Sequence, residues 1–329
     1  MRTFSVPQVL FGPGTLSEVH AAFEAYVEAG CDVLIAVGGG GCIDAAKGVA
    51  ILSAMGGDIL DHEGVDQVTR PLPPMVMCPS TGGTGADVSQ FAVITDTARR
   101  IKATLIGRAL GRALVPAVAI PDPRLLTRMD AELTAATGLD ALSHGIEAYA
   151  SVAASFLTDQ LALSAIERVA SSLTRRVDAP HDLGARTEMA RASLQAGMAF
   201  TNSLLGLCHA LSHQIGGCLD LPHGVLNGVL LPHVMAFNAP AASDRYVDVA
   251  RAFGVEVDGM DPEEAADAAC SEVQLLVAKL GSPRHLSSLG VRAEDFADFA
   301  EHALDDACLL TNPRSVDLDD ARELFHAAL

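Results

Sequence analysis

The chain has no tryptophan, and aromatic residues make up only 4% of its 329 residues. Basic residues are also scarce, with 22 Lys and Arg against 41 Asp and Glu, which gives a formal net charge of -19. Because so acidic a chain repels a phosphate backbone, we expect no nucleic-acid partner. The hydrophobic half of the composition is mainly aliphatic, which suits packed helices and a buried parallel sheet.

Long apolar runs and paired cysteines are lacking as well. No segment approaches eighteen uninterrupted apolar residues, and the opening MRTFSVPQV has no signal-like apolar core. We therefore expect no membrane partner and a cytoplasmic protein. The seven cysteines include no CxxC pair, and four of them lie in or beside apolar or Gly-rich runs. Buried, reduced thiols are the expectation for these four, Cys31, Cys42, Cys78 and Cys208.

The hydrophobic pattern changes near residue 125. Residues 1–125 alternate short apolar runs with helical stretches, which indicates an α/β domain. Residues 126–329 keep a 3.6-residue period without a convincing strand, which indicates an all-helical domain. Two prolines at 121–129 mark the boundary. The predicted elements that matter below are a fully buried strand at 32–37, further strands at 74–78, 91–95, 101–106 and 115–120, and one helix at 185–217.

Two glycine-containing loops follow predicted strands. AVGGGGCIDAAKG places glycines before a helix start, where free N–H groups and the helix dipole favour a diphosphate. Gly38 and Gly40 fit the usual dinucleotide spacing, but Ile43 stands at its third glycine. The second loop, PSTGGTG, adds the hydroxyl groups of Ser80, Thr81 and Thr84. Either loop alone is more often a simple turn, whereas both together favour a ligand crevice at one sheet edge.

Carboxylate and imidazole groups recur at helical spacing in the second half. Asp140 and His144 are four residues apart, as are His209 and His213, so each pair shares a helix face. One such pair alone is more often an ordinary contact, but two pairs followed by His223 indicate a divalent cation. One carboxylate with three imidazoles suits Zn²⁺ or Fe²⁺ better than Ca²⁺ or Mg²⁺. Spacing does not decide whether His213 or His223 is the fourth ligand.

These motifs resemble those of the iron-containing (group III) alcohol dehydrogenases. The matching segments run in the family's order over nearly the whole chain: AVGGGGCIDAAKG, PSTGGTG, ALVPAVAIPDPRL, TGLDALSHGIEAY, CHALSHQIGGCLDLPHGVLNGVLLPHV and DDACLLTNPR. The resemblance implies a Rossmann-like dinucleotide-binding domain, a helical metal domain, and hydride transfer between a small alcohol or aldehyde and NAD or NADP. It also implies a homodimer or higher homo-oligomer, with residues 4–12 at the dimer contact.

The resemblance assigns roles to individual residues. It implies Fe²⁺ or Zn²⁺ held by Asp140, His144, His209 and His223, and it leaves His213 as a proton relay beside the nicotinamide. The implied cofactor residues are Gly39, Gly40, Gly41, Asp44, Ser80, Thr81, Thr84 and Lys102. The implied substrate pocket includes Phe200 and Cys308.

The chain departs from the family pattern at three places. Gly41 stands where the family usually has serine, and Gly82 where alanine is common. A unit of about the size of one βαβ motif is missing after residue 19. That unit normally carries the acidic residue that contacts the adenosine ribose, so the sequence leaves NAD and NADP as alternatives.

Three other functions are compatible with these residues. GGCLDLPHG and PHVMAFNAPAA resemble the maleylacetate reductases, although those enzymes generally lack an aspartate at the position of Asp140. A non-redox metal and NAD enzyme of the dehydroquinate synthase type is the second alternative. A non-catalytic protein that binds a metal or a nucleotide is the third.

Overall fold

The computed structural model describes residues 23–24, 26–107, 114–179 and 181–329. Both the segment predicted at a dimer contact, residues 4–12, and the position of the missing unit lie outside these residues. The described α/β part has six strands and one long helix: β1 (Leu34–Gly38), α1 (Gly40–Met55), β2 (Gly64–Val65), β3 (Met75–Pro79), β4 (Phe91–Asp96), β5 (Ile101–Ile106) and β6 (Val118–Ala119).

The first sheet is parallel, in the order β1-β3-β6, as the Rossmann-like prediction requires. Its buried face includes Ala36 and Met77, which pack with Ile43 of α1. The other face is open: Ile35 is 67% exposed and Val37 is 60% exposed. The expectation of a fully buried strand at 32–37 is therefore wrong, because helix α1 covers only one face of this sheet.

The second sheet has the order β2-β5-β4 and is mixed. Strands β4 and β5 pair antiparallel through a short turn that ends at Arg100, whose φ is 58°. The predicted strands at 91–95 and 101–106 are confirmed, whereas the strand predicted at 115–120 is only two residues long. Apolar periodicity located the strands but did not indicate that two of them form a hairpin.

The described part of the chain after Ala119 contains no strand. Its helices pack around α2, which is buried from Thr134 to Ala150. Its α-helices are α2 (Ala131–Ala150), α3 (Phe156–Asp178), α4 (Leu183–Ser203), α5 (Leu207–Leu219), α6 (His223–Ala252), α7 (Pro262–Lys279), α8 (Phe296–Leu304) and α9 (Leu318–Ala328). A central helix surrounded on all sides places its polar side chains away from water.

The single helix predicted at 185–217 is wrong, because the chain breaks at Leu204–Gly206. Leu204 has a φ of 61°, which is unfavourable for a residue with a side chain, and Gly206 forms the N-cap of α5. Hydrogen bonds from distant residues hold the break, among them Thr311 Oγ1 to the Leu205 carbonyl at 2.6 Å. The break lets α5 start in a new direction, and α5 carries His209 and His213.

Among the residues that the structure describes, one helix, α6, has the length and the apolar composition needed to cross a membrane. Of its most apolar window, 67% is buried inside the protein, as in the core helix of a globular domain.

The expectation of four buried thiols is partly wrong: Cys208 is buried, but Cys31 and Cys42 are exposed and Cys78 is half-buried. Cys42 faces outward because it lies in the first turn of α1, at the open edge of the sheet.

Candidate metal and cofactor site

Four predicted ligands meet between helices α2, α5 and α6. Asp140 Oδ1 lies 3.9 Å from His144 Nε2, 4.0 Å from His209 Nε2 and 3.7 Å from His223 Nε2. Ligand atoms of a tetrahedral ion with bonds of about 2.0–2.2 Å lie roughly 3.4 Å apart. Asp140, His209 and His223 have ligand atoms within 4.8 Å of one another, whereas His144 lies outside that group and would have to move closer to complete the set. One oxygen and three nitrogen donors fit Fe²⁺ or Zn²⁺.

Each imidazole of this set has a second contact that orients it. His144 Nδ1 lies 3.2 Å from the Gly83 carbonyl, and His209 Nδ1 is hydrogen-bonded to Glu147 Oε2. His223 Nδ1 lies 3.5 Å from Ser212 Oγ, a weaker contact. With Nδ1 turned to these acceptors, each ring presents Nε2 toward Asp140. Metal-binding histidines in proteins are commonly held in this way.

Asn227 is a site residue that the sequence analysis missed. Its Nδ2 donates to Asp140 Oδ1 at 3.0 Å and lies 3.3 Å from His209 Nε2 and 3.1 Å from His223 Nε2. It follows His223 by four residues on α6, and this spacing was the available signal. Its amide nitrogen lies against the same three atoms that face the predicted cation.

Burial sets the protonation of the cluster. It lowers the pKa of His209 well below the usual value, and it does the same for His223, although a third of the His223 side chain is accessible. The neighbouring imidazoles lower both pKa values further. Burial raises the pKa of the Asp140 carboxyl and raises the pKa of Glu147 to about 7. Neutral imidazoles with free lone pairs are the form that binds a metal.

His213 differs from the other histidines in its partner. Its Nδ1 lies 2.8 Å from Asp306 Oδ2, and its ring stacks on His223 with centroids 5.2 Å apart. Burial alone would raise the pKa of Asp306, but His213 and hydrogen bonds including the Cys308 N–H hold that pKa below its usual value. Asp306 is a second residue that the sequence analysis missed; it lies two residues before Cys308.

A cavity of about 210 Å³ joins this cluster to the sheet edge. Asp140 and the four histidines line it, together with Gly40, Gly41, Asp44, Thr84, Lys102 and Phe200. Phe200 stacks on His144 with ring centroids 4.5 Å apart, which places an apolar wall beside the cluster. Within the described residues, Gly39, Ser80, Thr81 and Cys308 do not line the cavity.

The two glycine-containing loops meet at the sheet edge, because β1 and β3 are parallel neighbours. A Cβ at Gly40 would lie 2.7 Å from Thr84 Cγ2, so the loops touch there, whereas a Cβ at Gly41 would meet nothing within 4 Å. Gly39 is the N-cap of α1, and Ser80 N–H donates to the Gly38 carbonyl at 2.8 Å. This arrangement leaves open space over the first turn of a helix, which suits a diphosphate.

A buried hydroxyl group without a hydrogen-bond partner also supports a cofactor site next to these loops. Thr81 Oγ1 is buried and finds no hydrogen-bond partner among the residues the structure describes. A Cβ built at Gly39 would lie 3.4 Å from the Thr81 methyl group, so this hydroxyl stands beside the helix N-cap. Buried hydroxyl groups without a partner are uncommon in folded proteins. The space and the spare donor both fit a ligand with acceptor oxygens.

Two lysines and one aspartate lie in or beside the proposed cofactor site. Lys102 Nζ donates to Thr95 Oγ1 at 2.6 Å, and burial lowers its pKa. Burial raises the pKa of Asp44 to about 6, against the opposing effect of Lys47. Lys47, which the sequence analysis missed, is fully buried and donates to the carbonyls of Ser89 and Phe91. It thereby fixes α1 against the start of β4.

Comparison with known proteins places this site in a family. The profile of the iron-containing alcohol dehydrogenases matches residues 11–123, and the profile of that family's C-terminal domain matches residues 134–329. The 1,3-propanediol dehydrogenase of Citrobacter freundii is 41% identical over 95% of this chain and 80% of its own length. This chain belongs to the iron-containing alcohol dehydrogenase family.

Other family members agree with this assignment. The NAD-dependent methanol dehydrogenase of Bacillus methanolicus is 38% identical over 95% of this chain and 81% of its own length. The alcohol dehydrogenase structure from Oenococcus oeni superimposes with a TM-score of 0.92 at 34% identity, over 97% of this chain and 82% of that one. The chain is thus an NAD(P)-linked alcohol or aldehyde oxidoreductase of the iron-containing family.

Proposed function

We propose that this family member interconverts a small aliphatic alcohol and its aldehyde with NAD, at a ferrous ion held by Asp140, His144, His209 and His223. The observation that supports this is the cavity shared by the histidine cluster and the open first turn of α1. A substrate carbon and a nicotinamide ring must meet at one place, and this cavity joins the two candidate binding regions. The name of the Bacillus methanolicus relative favours NAD over NADP.

When bound, the ion supplies Lewis acidity that stabilises the alcohol oxygen as an alkoxide or polarises an aldehyde carbonyl. The chain supplies orientation and charge. Backbone N–H groups in the first turn of α1 bind the diphosphate, and the Thr81 hydroxyl lies behind them. Asp306 holds His213 by Nδ1, so Nε2 of His213 is the atom that accepts and releases the proton.

The cavity wall limits the substrate. Phe200, Leu205 and Phe91 form its apolar side, and Phe200 meets Phe91 edge-on at 5.3 Å. This apolar wall lies beside the histidine cluster, so it would contact the carbon chain of a bound alcohol. We assign small primary alcohols as the substrate class.

Three further features belong to this proposal. The dinucleotide-binding domain comprises residues 1–125 and the metal and substrate domain residues 126–329, with a unit missing after residue 19. The protein acts in the cytoplasm as a homo-oligomer. A size measurement in solution tests the oligomeric state. Separate expression of residues 1–125 and of residues 126–329 tests the division into two domains.

Metal analysis combined with a panel of alcohols tests the central proposal. Purified protein reconstituted with Fe²⁺ should reduce NAD with short primary alcohols, seen as absorbance at 340 nm, and do so less well with NADP. Asp140→Asn, which removes one ligand charge, is the matched inactive control. Protein that binds both metal and NAD but shows no absorbance change with any alcohol or aldehyde would contradict the assignment and favour the non-redox alternative.

A further inference from the structure

Glu147 is a buried carboxylate that neither the predicted ligand set nor the predicted cofactor set contains. It lies on α2, three residues after His144 and seven after Asp140, so all three side chains share one helix face. Its side chain is only 5% exposed. A carboxylate in such a position is costly unless its oxygens accept hydrogen bonds.

Both oxygens of Glu147 have partners on the next helix of the site. Oε2 is hydrogen-bonded to His209 Nδ1, and Oε1 accepts the Cys208 N–H at 2.6 Å. Helix α5 begins at Leu207 after Gly206, which has no side chain to cap it. Glu147 therefore caps α5 from another helix while it holds the cluster residue His209 on that helix.

The surroundings of His209 fix its tautomer from both sides. Nδ1 faces Glu147 Oε2, and the ionised form of this carboxylate accepts a hydrogen bond from a protonated Nδ1. Nε2 lies 3.3 Å from the Asn227 amide nitrogen, a donor group, which favours an acceptor there. Both contacts select the neutral ring with its proton on Nδ1 and its lone pair on Nε2. That tautomer directs the lone pair into the space between Asp140 and His223.

We propose that Glu147 is a positioning residue that sets the metal affinity of the site by fixing His209 as the Nδ1–H tautomer. The inference rests on the proposed metal centre but not on the reaction assigned to it. A carboxylate offers an acceptor to each of two donors, and an amide offers only one. Glutamine at this position can therefore satisfy the helix cap or the imidazole, but not both.

The decisive variant is Glu147→Gln, in which the amide oxygen keeps the cap on the Cys208 N–H. The amide nitrogen then faces His209 Nδ1 and favours the tautomer with a proton on Nε2, which cannot bind a metal. We expect the affinity for Zn²⁺, measured by competition with a chromophoric chelator, to fall about 10- to 100-fold. The thermal midpoint of the metal-free variant should stay close to that of the metal-free parent.

Asn312→Ala is the matched control. Asn312 Oδ1 accepts the Leu207 N–H at 3.2 Å, so it also caps α5 but touches no predicted ligand. This variant should lower the thermal midpoint and leave the Zn²⁺ affinity within about twofold. Unchanged Zn²⁺ affinity in Glu147→Gln, or an equal affinity loss in both variants, would reduce Glu147 to a helix cap and overturn the proposal.

A measurement on the unaltered protein covers the case in which a variant does not fold. The ¹⁵N spectrum of the metal-free protein, assigned by comparison with His209→Gln, should show His209 protonated at Nδ1. Protonation at Nε2 instead overturns the inference directly. Parent protein that binds Zn²⁺ and shows this tautomer but oxidises no alcohol contradicts the proposed function alone.

Discussion

The metal cluster and the cofactor loops are built in opposite ways. The cluster consists of side chains on buried helices. The Nδ1 atoms of its imidazoles contact Gly83, Glu147 and Ser212. The cofactor side consists of backbone at the end of short strands. There a Cβ at Gly41 would meet nothing within 4 Å, and the neighbouring strand face at Ile35 is open. In one region hydrogen bonds hold the side chains in place, whereas the other region offers open space.

This difference decides how each region responds to mutation. In the proposed metal site a side chain would be the ligand, so its chemistry could not be replaced without losing the ion. In the proposed cofactor loops the backbone would make the contact, so only changes that alter the backbone path should matter. The following predictions test this contrast, beginning with the largest expected effect.

Asp140→Asn should affect the metal most. The substitution keeps the shape but removes the negative charge that the three imidazole Nε2 atoms face, and it leaves the Asn227 donor without a charged acceptor. We expect metal affinity to fall by more than about 100-fold, since changes outside the ligand set already cost 10- to 100-fold. Chelator competition measures it. Retention of the metal at parental affinity would show that the ion, if any, is bound elsewhere.

His213→Ala should separate proton transfer from metal binding. Because His213 is not in the set around Asp140 Oδ1, the variant should keep its metal while kcat falls about 10²- to 10⁴-fold. Asp306→Asn, which keeps an acceptor near Nδ1, should lower kcat less. Metal content and steady-state rates are measured on the same samples. Metal loss as severe as in Asp140→Asn would instead make His213 a ligand.

Gly40→Ala and Gly41→Ser form the pair with the smallest effect. The added Cβ at Gly40 would press on Thr84, and overpacking of this kind typically costs about 1–3 kcal/mol, so NAD affinity should fall about tenfold or more. At Gly41 the new side chain has room, and its hydroxyl should leave NAD affinity unchanged or improve it a few-fold. Calorimetric titration with NAD measures both. Equal losses would mean that the diphosphate does not lie over this turn.

The sequence predicted the cluster better than its surroundings. The i,i+4 spacing on α2 and α5 follows directly from helix geometry, and the structure brings Asp140 and His209 within 4.0 Å. Glu147 and Asp306 escaped notice because each acts through a partner that is distant in sequence, whereas Asn227 was missed although it follows His223 by four residues. Asp306 meets His213 across 93 positions, and no local pattern indicates such a contact.

The fold shows the same limit. Strand positions and most helices follow from apolar periodicity, but the break at Leu204 does not, because leucine rarely adopts a positive φ. It is imposed by contacts from Thr311 and by the cap that Glu147 provides. The open face of β1 was missed for a related reason. A run of apolar residues in a strand does not indicate whether one or both faces of that strand are covered.

The carbonyl of Gly83 belongs to the loop that follows β3, and it is held by His144 on α2. A Cβ at Gly83 would collide with the backbone at Thr137, so the loop rests directly on that helix. This contact between the loop and α2 joins the two halves of the protein beside the site where the substrate and the nicotinamide ring would have to be aligned. A displacement of this loop would therefore act directly on the ring of His144.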